Sequence, residues 1–167
     1  MKPLIAKMTF KNNCKFFFPS AIILLVVIVV SIYGHTTQSK NPEQVNEPFF
    51  NGGFFILLCI VLPGLLLHTR YYLIDKSKTV LFNKNEIEIT TNKIVQVIKY
   101  ADILKVERHE ISWKTRIPWA YYDYTKLFLK DGTTIKYTCL TLDSGNSHTQ
   151  FVKRGVEINE VDEFYPW

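Results

Sequence analysis

The sequence has no CxxC pair, no glycine-rich phosphate loop, no nucleophile elbow and no HExxH. The local signatures of thiol redox, phosphate-loop, hydrolase and zinc-protease chemistry are therefore missing. The expectation is a protein that is not an enzyme, with no catalytic residue, no cofactor and no metal site. Cysteine is scarce: Cys14, Cys59 and Cys139 lie far apart, which argues against a disulfide framework. Cys14, next to an apolar run, reads either as a plain juxtamembrane thiol or as an acylation site. Internal repeats and low-complexity tracts are absent as well.

Charge is missing from two long windows. Phe16 to Tyr33 reads FFFPSAIILLVVIVVSIY and Phe49 to Leu67 reads FFNGGFFILLCIVLPGLLL, 18 and 19 residues without a charged side chain. At about 1.5 Å per residue each helix would span roughly 27–29 Å, close to a bilayer's hydrocarbon layer. A helix satisfies its own backbone groups in lipid, so both windows predict transmembrane helices, 16–33 and 49–67. The alternative for the first is a cleaved signal peptide, but its apolar run is long and no small-x-small site follows. Pro63-Gly64 predicts a kink near the end of the second.

Acid is missing from residues 1–15, which carry Lys2, Lys7, Lys11 and Lys15, while 34–48 carries one lysine against Glu43 and Glu47. Positive flanks stay inside. The expected arrangement has a basic cytoplasmic stretch at 1–15, an external loop at 34–48, and both termini cytoplasmic. The formal net charge of +5 then loses most of its meaning, because residues 69–167 hold fifteen Lys/Arg against thirteen Asp/Glu. That balance excludes the clustered basic footprint of a nucleic-acid binder. Residues 69–142 are net basic and 143–167 net acidic, which suits a basic face toward anionic headgroups.

From Thr69 onward the pattern period becomes two. Strands are predicted at 71–74, 79–82, 86–89, 94–99, 103–112, 121–130 and 133–140, with turns at 75–78, 83–85 and 91–92. Asp131-Gly132 between the last two is a strong hairpin signal. Ser144 to Ser147 offers N-caps for a short helix, and Gly155 suits its C′ position. Val156 to Ile158 returns to a sheet edge. Such a meander predicts an antiparallel sheet that curls or closes. The predicted core face is Ile87, Ile89, Val95, Val97, Leu104, Val106, Leu127, Leu129, Ile135 and Tyr137.

A strand meander followed by one C-terminal helix resembles a pleckstrin-homology (PH) barrel. More narrowly, NEIEITTNKIVQVIKYADILKVE at 85–107 resembles membrane-anchored bacterial proteins that pair a two-helix hydrophobic hairpin with a PH-like domain. The matching steps are Ile98-Lys99-Tyr100-Ala101-Asp102-Ile103 and Asp131-Gly132. The resemblance implies a cytoplasmic PH-like barrel over 69–155, an acidic tail over 156–167, and a place in the bacterial inner membrane. Tyr100-Ala101-Asp102 would be a corner between two strands, with Asp102 capping the turn. The chain departs from the pattern in its short final helix and in residues 111–124.

That last segment, ISWKTRIPWAYYDY, concentrates indole, phenol and basic groups suited to a half-apolar boundary. Trp113, Lys114, Arg116, Trp119 and Tyr122 are the candidate contacts with membrane or partner; the competing reading is that the tryptophans seal the barrel end. Glu107, His109 and Glu110 read either as metal ligands lacking a fixed third partner or as a solvated strand. The function expected is a non-enzymatic, membrane-anchored interaction module that meets a protein partner or the inner leaflet, with homo-oligomerisation open. The alternative is an immunity-type or stress-related membrane protein that neutralises a toxin.

Overall fold

The computed structural model describes residues 3–40, 47–111, 119–142, 144–163 and 165–166. In chain order it comprises β1 (Leu4–Lys7), α1 (Phe10–Lys40), α2 (Glu47–Asp75), β2 (Lys78–Phe82), β3 (Glu86–Thr91), β4 (Ile94–Lys99), a 3-10 turn (Tyr100–Asp102), β5 (Ile103–Glu110), β6 (Tyr124–Leu129), β7 (Thr134–Thr138), α3 (Ser144–Val152) and β8 (Ile158–Asp162). The strands form two four-stranded sheets, β1-β2-β3-β4 and β7-β6-β5-β8. They do not close into the expected barrel: β4 passes into β5 through the 3-10 corner and the two strands do not pair.

The first strand precedes both helices. Leu4 to Lys7 pairs antiparallel with Phe82 to Thr79, so the stretch expected to be only a basic tail completes sheet 1. The helix pair is thus an insertion between two neighbouring strands of one sheet. Thr9 starts α1 by accepting the Asn12 N–H on its Oγ1 at 3.1 Å, an N-cap that satisfies a donor with no intrahelical partner. Both helices outrun the apolar windows. Tyr71 to Ile74, expected as a strand, is the last turn of α2; four alternating residues also fit one turn of a helix with a single buried side. The Phe17 ring of α1 meets His68 of α2 in a tilted contact at 5.1 Å, so the start of one helix lies against the end of the other and they run antiparallel.

Among the described residues one helical stretch, Phe10–Gly34, is long and apolar enough to cross a membrane, where two were expected. Most of its aliphatic side chains, among them Leu25, Val29 and Ile32, are exposed, while Val27 is buried.

The inner faces of the two sheets and Phe151 of α3 enclose one core, centred on Val80, Phe82, Ile87, Val106, Leu127 and Tyr137. Six of the ten predicted core residues, Ile87, Ile89, Val106, Leu127, Leu129 and Tyr137, are buried, and Ile135 packs against them half-buried. Val95, Val97 and Leu104 are exposed instead. In β4 the inward residue is Ile98, opposite Ile87, so Val95 and Val97 face out. In β5 a register shift between Ile103 and Lys105 turns Ile103 inward and Leu104 outward, as a bulge does.

The turns follow their residues. Gly132 adopts φ 84° in the β6–β7 hairpin, and the Asp131 carboxylate accepts the Thr133 N–H at 2.8 Å. Asn92 and Lys93, both at positive φ, form the β3–β4 turn. Tyr100–Asp102 is indeed a corner, but Asp102 acts there through its carbonyl, which accepts the Lys130 N–H at 2.9 Å. At the end of α3, Gly155 takes φ 73° and the Val156 N–H returns to the Phe151 carbonyl at 3.1 Å, closing a Schellman-type cap. β8 then lies parallel to β5, so the acidic C-terminal stretch is a strand of sheet 2.

Candidate functional site

Alternation puts Tyr124 and Lys126 of β6, His109 of β5 and Thr138 of β7 on the outer face of sheet 2. The helix pair ends on this face. Phe16 of α1 and Leu67 and Tyr71 of α2 share a second buried cluster with Ile111, Trp119, Tyr122, Tyr124, Cys139 and Leu140. Its rings meet edge-on or tilted: Phe16 and Tyr122 at 5.4 Å, Tyr71 and Tyr122 at 5.4 Å, Tyr71 and Tyr124 at 6.4 Å. Such pairs add about 0.5–1.5 kcal/mol each beyond their area.

Polar groups inside this joint are paired across elements. The Tyr122 hydroxyl donates to the Phe16 carbonyl at 3.1 Å and lies 2.8 Å from His68 Nδ1. A phenol has one proton; with that proton on the carbonyl, His68 Nδ1 must be the donor in the second bond. Desolvation raises the Tyr122 and Tyr71 pKa values, with Cys139 adding to both, so both phenols stay protonated donors. Tyr71 donates to the Pro166 carbonyl at 2.8 Å and Tyr165 to the Pro63 carbonyl at 2.6 Å. The C-terminal segment therefore straps α2 from Pro63 to Tyr71.

The end of α2 is clasped as well. Asp75 is fully buried, and its carboxylate accepts the Thr138 hydroxyl at 2.6 Å and the N–H groups of Thr138 and Thr141, each at 3.1 Å. Burial raises the Asp75 pKa, and these hydrogen bonds with nearby Lys78 oppose the rise. From Pro63 to Asp75, about 18 Å of helix at the α-helical rise, α2 is bonded to the β-domain at both ends.

Behind this strap His109 lies buried and stacked on Tyr124, centroids 4.4 Å apart. Its Nδ1 is 2.6 Å from Glu163 and its Nε2 3.2 Å from Glu107; Tyr124 also donates to Glu163 at 3.1 Å. The partner that sequence spacing could not supply is Glu163, delivered by β8. The two carboxylates approach opposite ring nitrogens, so they do not converge on one point as metal ligands must. Glu110, the third residue of the sequence cluster, pairs with Arg108 instead.

Of the residues singled out as contacts, Trp119 and Tyr122 are 7% and 1% exposed. Both rings belong to the helix–sheet joint and present almost no surface to a membrane or partner. Trp113, Lys114 and Arg116 lie outside the described residues. Sequence reading missed Asp75, Tyr71 and Glu163. Asp75 looked like a turn residue because α2 was ended too early; the signal available was the unbroken helical run from Leu65 through Tyr72.

A basic set surrounds the joint. Lys136 and Lys126 face each other across β6 and β7. Lys136 Nζ sits 3.5 Å over the Tyr124 ring, and Lys78 donates to the Lys136 carbonyl. Burial, then Arg70 and Lys126, pull the Lys136 pKa down to about 8.

No curated protein matches the chain. A family match does exist: residues 5–149 fit the PH domain. The match begins within β1 and ends within α3, taking in the helix pair as well as strands β2 to β7. PH domains are in general non-catalytic modules that bind lipids or proteins. On a match over most of its length, the chain belongs to the PH domain family.

Proposed function

We propose that this protein is a non-enzymatic interaction module held in a bilayer by α1 and α2, which presents its PH unit on the cytoplasmic side to a protein partner or to the inner leaflet. The observation that carries this reading is the root of the helix pair. α1 supplies an apolar span exposed on nearly every side, and α2 is bonded to the β-domain through His68, Tyr71 and Asp75. Bare aliphatic surface of that extent is unfavourable in water at about 25 cal/mol per Å², and lipid removes the cost. In this reading α2 is the second span, and the connection between the two spans lies outside the cell.

The contact surface belongs between Ile111 and Trp119. What supports this is that Ile111 and Trp119, on either side of it in sequence, are buried beside Phe16 and Leu67, near where the apolar spans begin. Each basic residue there contributes about 1 kcal/mol against an anionic leaflet. The test uses the full chain, because β1 is needed to complete sheet 1. It is reconstituted in bilayers with and without anionic lipid, and quenching of a fluorophore at Arg116→Cys is compared at low and high salt. Anionic, salt-sensitive shielding from an aqueous quencher supports leaflet contact. Equal accessibility in every lipid and salt condition assigns the segment to a protein partner.

A further inference from the structure

The two sheets have four edges, and among the described residues three are protected. β1 is four residues long and ends in Lys7. β7 is packed by α2, whose Asp75 holds Thr138. β8 carries exposed Glu160 and Asp162. Short length, cover and charge are the usual ways of keeping an edge from pairing. Among the described residues β4 is the least protected, with charge only at its ends, Lys93 before it and Lys99 as its last residue. It is six residues long, uncharged from Ile94 to Ile98, without proline or bulge, and last in its sheet. Ile94, Val95 and Val97 are 74%, 55% and 55% exposed. An edge of this composition is a pairing template.

We infer that β4 is an interface, and that its occupant is β4 of a second copy of this chain in the same membrane, joined antiparallel about Val97. Two strands related by a two-fold axis must bring equivalent residues together, and residues directly opposite share a face. Centring the pair on Gln96 would set Lys99 opposite the other copy's Lys93, two like-charge contacts. Centring it on Val97 sets Val97 against its own copy and Val95 against the aliphatic stem of Lys99, while Glu86, opposite Lys99 on β3, balances that amine. Charge therefore selects the register. The joined sheets would run β1-β2-β3-β4 and back through the second copy. A six-residue edge buries less than the 1,200–2,000 Å² or so of a standard interface; copies confined to one bilayer meet at high effective concentration, which offsets the small area. The occupant thus rests on the membrane reading above, but the pairing edge does not.

The experiment uses the full chain in native membranes. Val97→Cys is oxidised mildly beside Val95→Cys, Asp131→Cys and the parent chain with its three native cysteines. The expected result is a disulfide-linked dimer from Val97→Cys, with little from Val95→Cys and none beyond background from Asp131→Cys. No dimer from Val97→Cys overturns the proposal, as does an adduct of Val97→Cys with a protein of different mass. A second arm reads energy transfer between two labelled populations in liposomes as the protein is diluted in lipid. Val97→Lys, at an exposed position that leaves the fold intact by circular dichroism, is expected to weaken association roughly fivefold or more. Unchanged association contradicts the interface. Alkaline carbonate extraction runs in parallel: release from the membrane removes the anchoring reading alone, and the cross-link still decides the pairing of β4.

Discussion

The two sheets share one core, but their outer faces meet different fates. On sheet 2 the outer face carries Tyr124, His109 and Thr138 and is covered by the ends of α1 and α2 and by the strap from Glu163 to Pro166. On sheet 1 it carries half-buried Leu81 and Glu88 beside exposed Val95 and Val97. Aromatic rings with polar tips make the covered face a joint, since each hydroxyl finds a partner as its ring is buried. On sheet 1 Val95 and Val97 stand exposed on a face they share with Glu86, Glu88, Thr90 and Lys99. One PH unit thus uses one outer face to hold its helices and leaves Val95 and Val97 exposed on the other.

The largest expected effect contrasts the shared core with the outer face of sheet 1. Leu127→Ala, in the core, should destabilise the full chain by about 2–5 kcal/mol, whereas Val95→Ala on that outer face should change stability by no more than about 0.5 kcal/mol. Denaturant unfolding in detergent checks both; equal losses would mean that sheet 1 is covered after all.

Asp75 comes next. Asp75→Ala leaves the buried Thr138 and Thr141 N–H groups without an acceptor, at about 1–3 kcal/mol each for unsatisfied donors. The pH dependence has a definite sign. The folded pKa lies above the usual 3.8 because burial disfavours the charged form. The stability from this group is therefore fully present below 3.8 and is lost as pH rises through the higher folded value. Wild type should lose stability relative to Asp75→Asn as pH rises across that window, and a wild-type advantage that grows with pH would contradict the assignment.

Tyr122→Phe keeps the ring but removes the hydroxyl between His68 and Phe16. A loss of about 1–2 kcal/mol is expected, with Phe16 and Tyr71 still packed. The smallest effect falls on Lys136. With its pKa near 8, a larger share of this amine is neutral at pH 8 than for an ordinary lysine. Amine-reactive labelling followed by peptide mapping should rank it above exposed Lys130 once corrected for accessibility.

Sequence pattern reached most of the strands but not which way each one faces. β3 was unambiguous because Ile87 and Ile89 alternate with glutamate and threonine. β4 was not: IVQVIK has apolar side chains on both faces, and of its two polar residues Gln96 stands opposite Ile89 on the inner face while Lys99 faces out. In β5 the bulge moved Leu104 out, and a bulge leaves no period to read. The helix pair was visible as two charge-free windows. Its root was not, because Tyr71, Asp75, Tyr122 and Glu163 come together only when β1 closes sheet 1 and β8 returns beside β5. The Trp119 indole and Tyr122 phenol suited an interface by composition, and they fill one inside the molecule. The same composition serves a joint between helices and sheet as well as one between protein and lipid.

The claim that most needs testing is that α1 and α2 are a membrane-spanning insertion between β1 and β2. Pairing of Leu4–Lys7 with β2 forces the chain before α1 and the chain after α2 onto one side. Single cysteines at Lys7, Ser39 and Lys130, in a chain whose native cysteines are replaced by serine, are labelled in intact cells with a membrane-impermeant reagent and again after permeabilisation. The expected result is labelling at Ser39 in intact cells and at Lys7 and Lys130 only after permeabilisation. Labelling of Lys7 and Lys130 from opposite sides of the membrane would contradict the insertion.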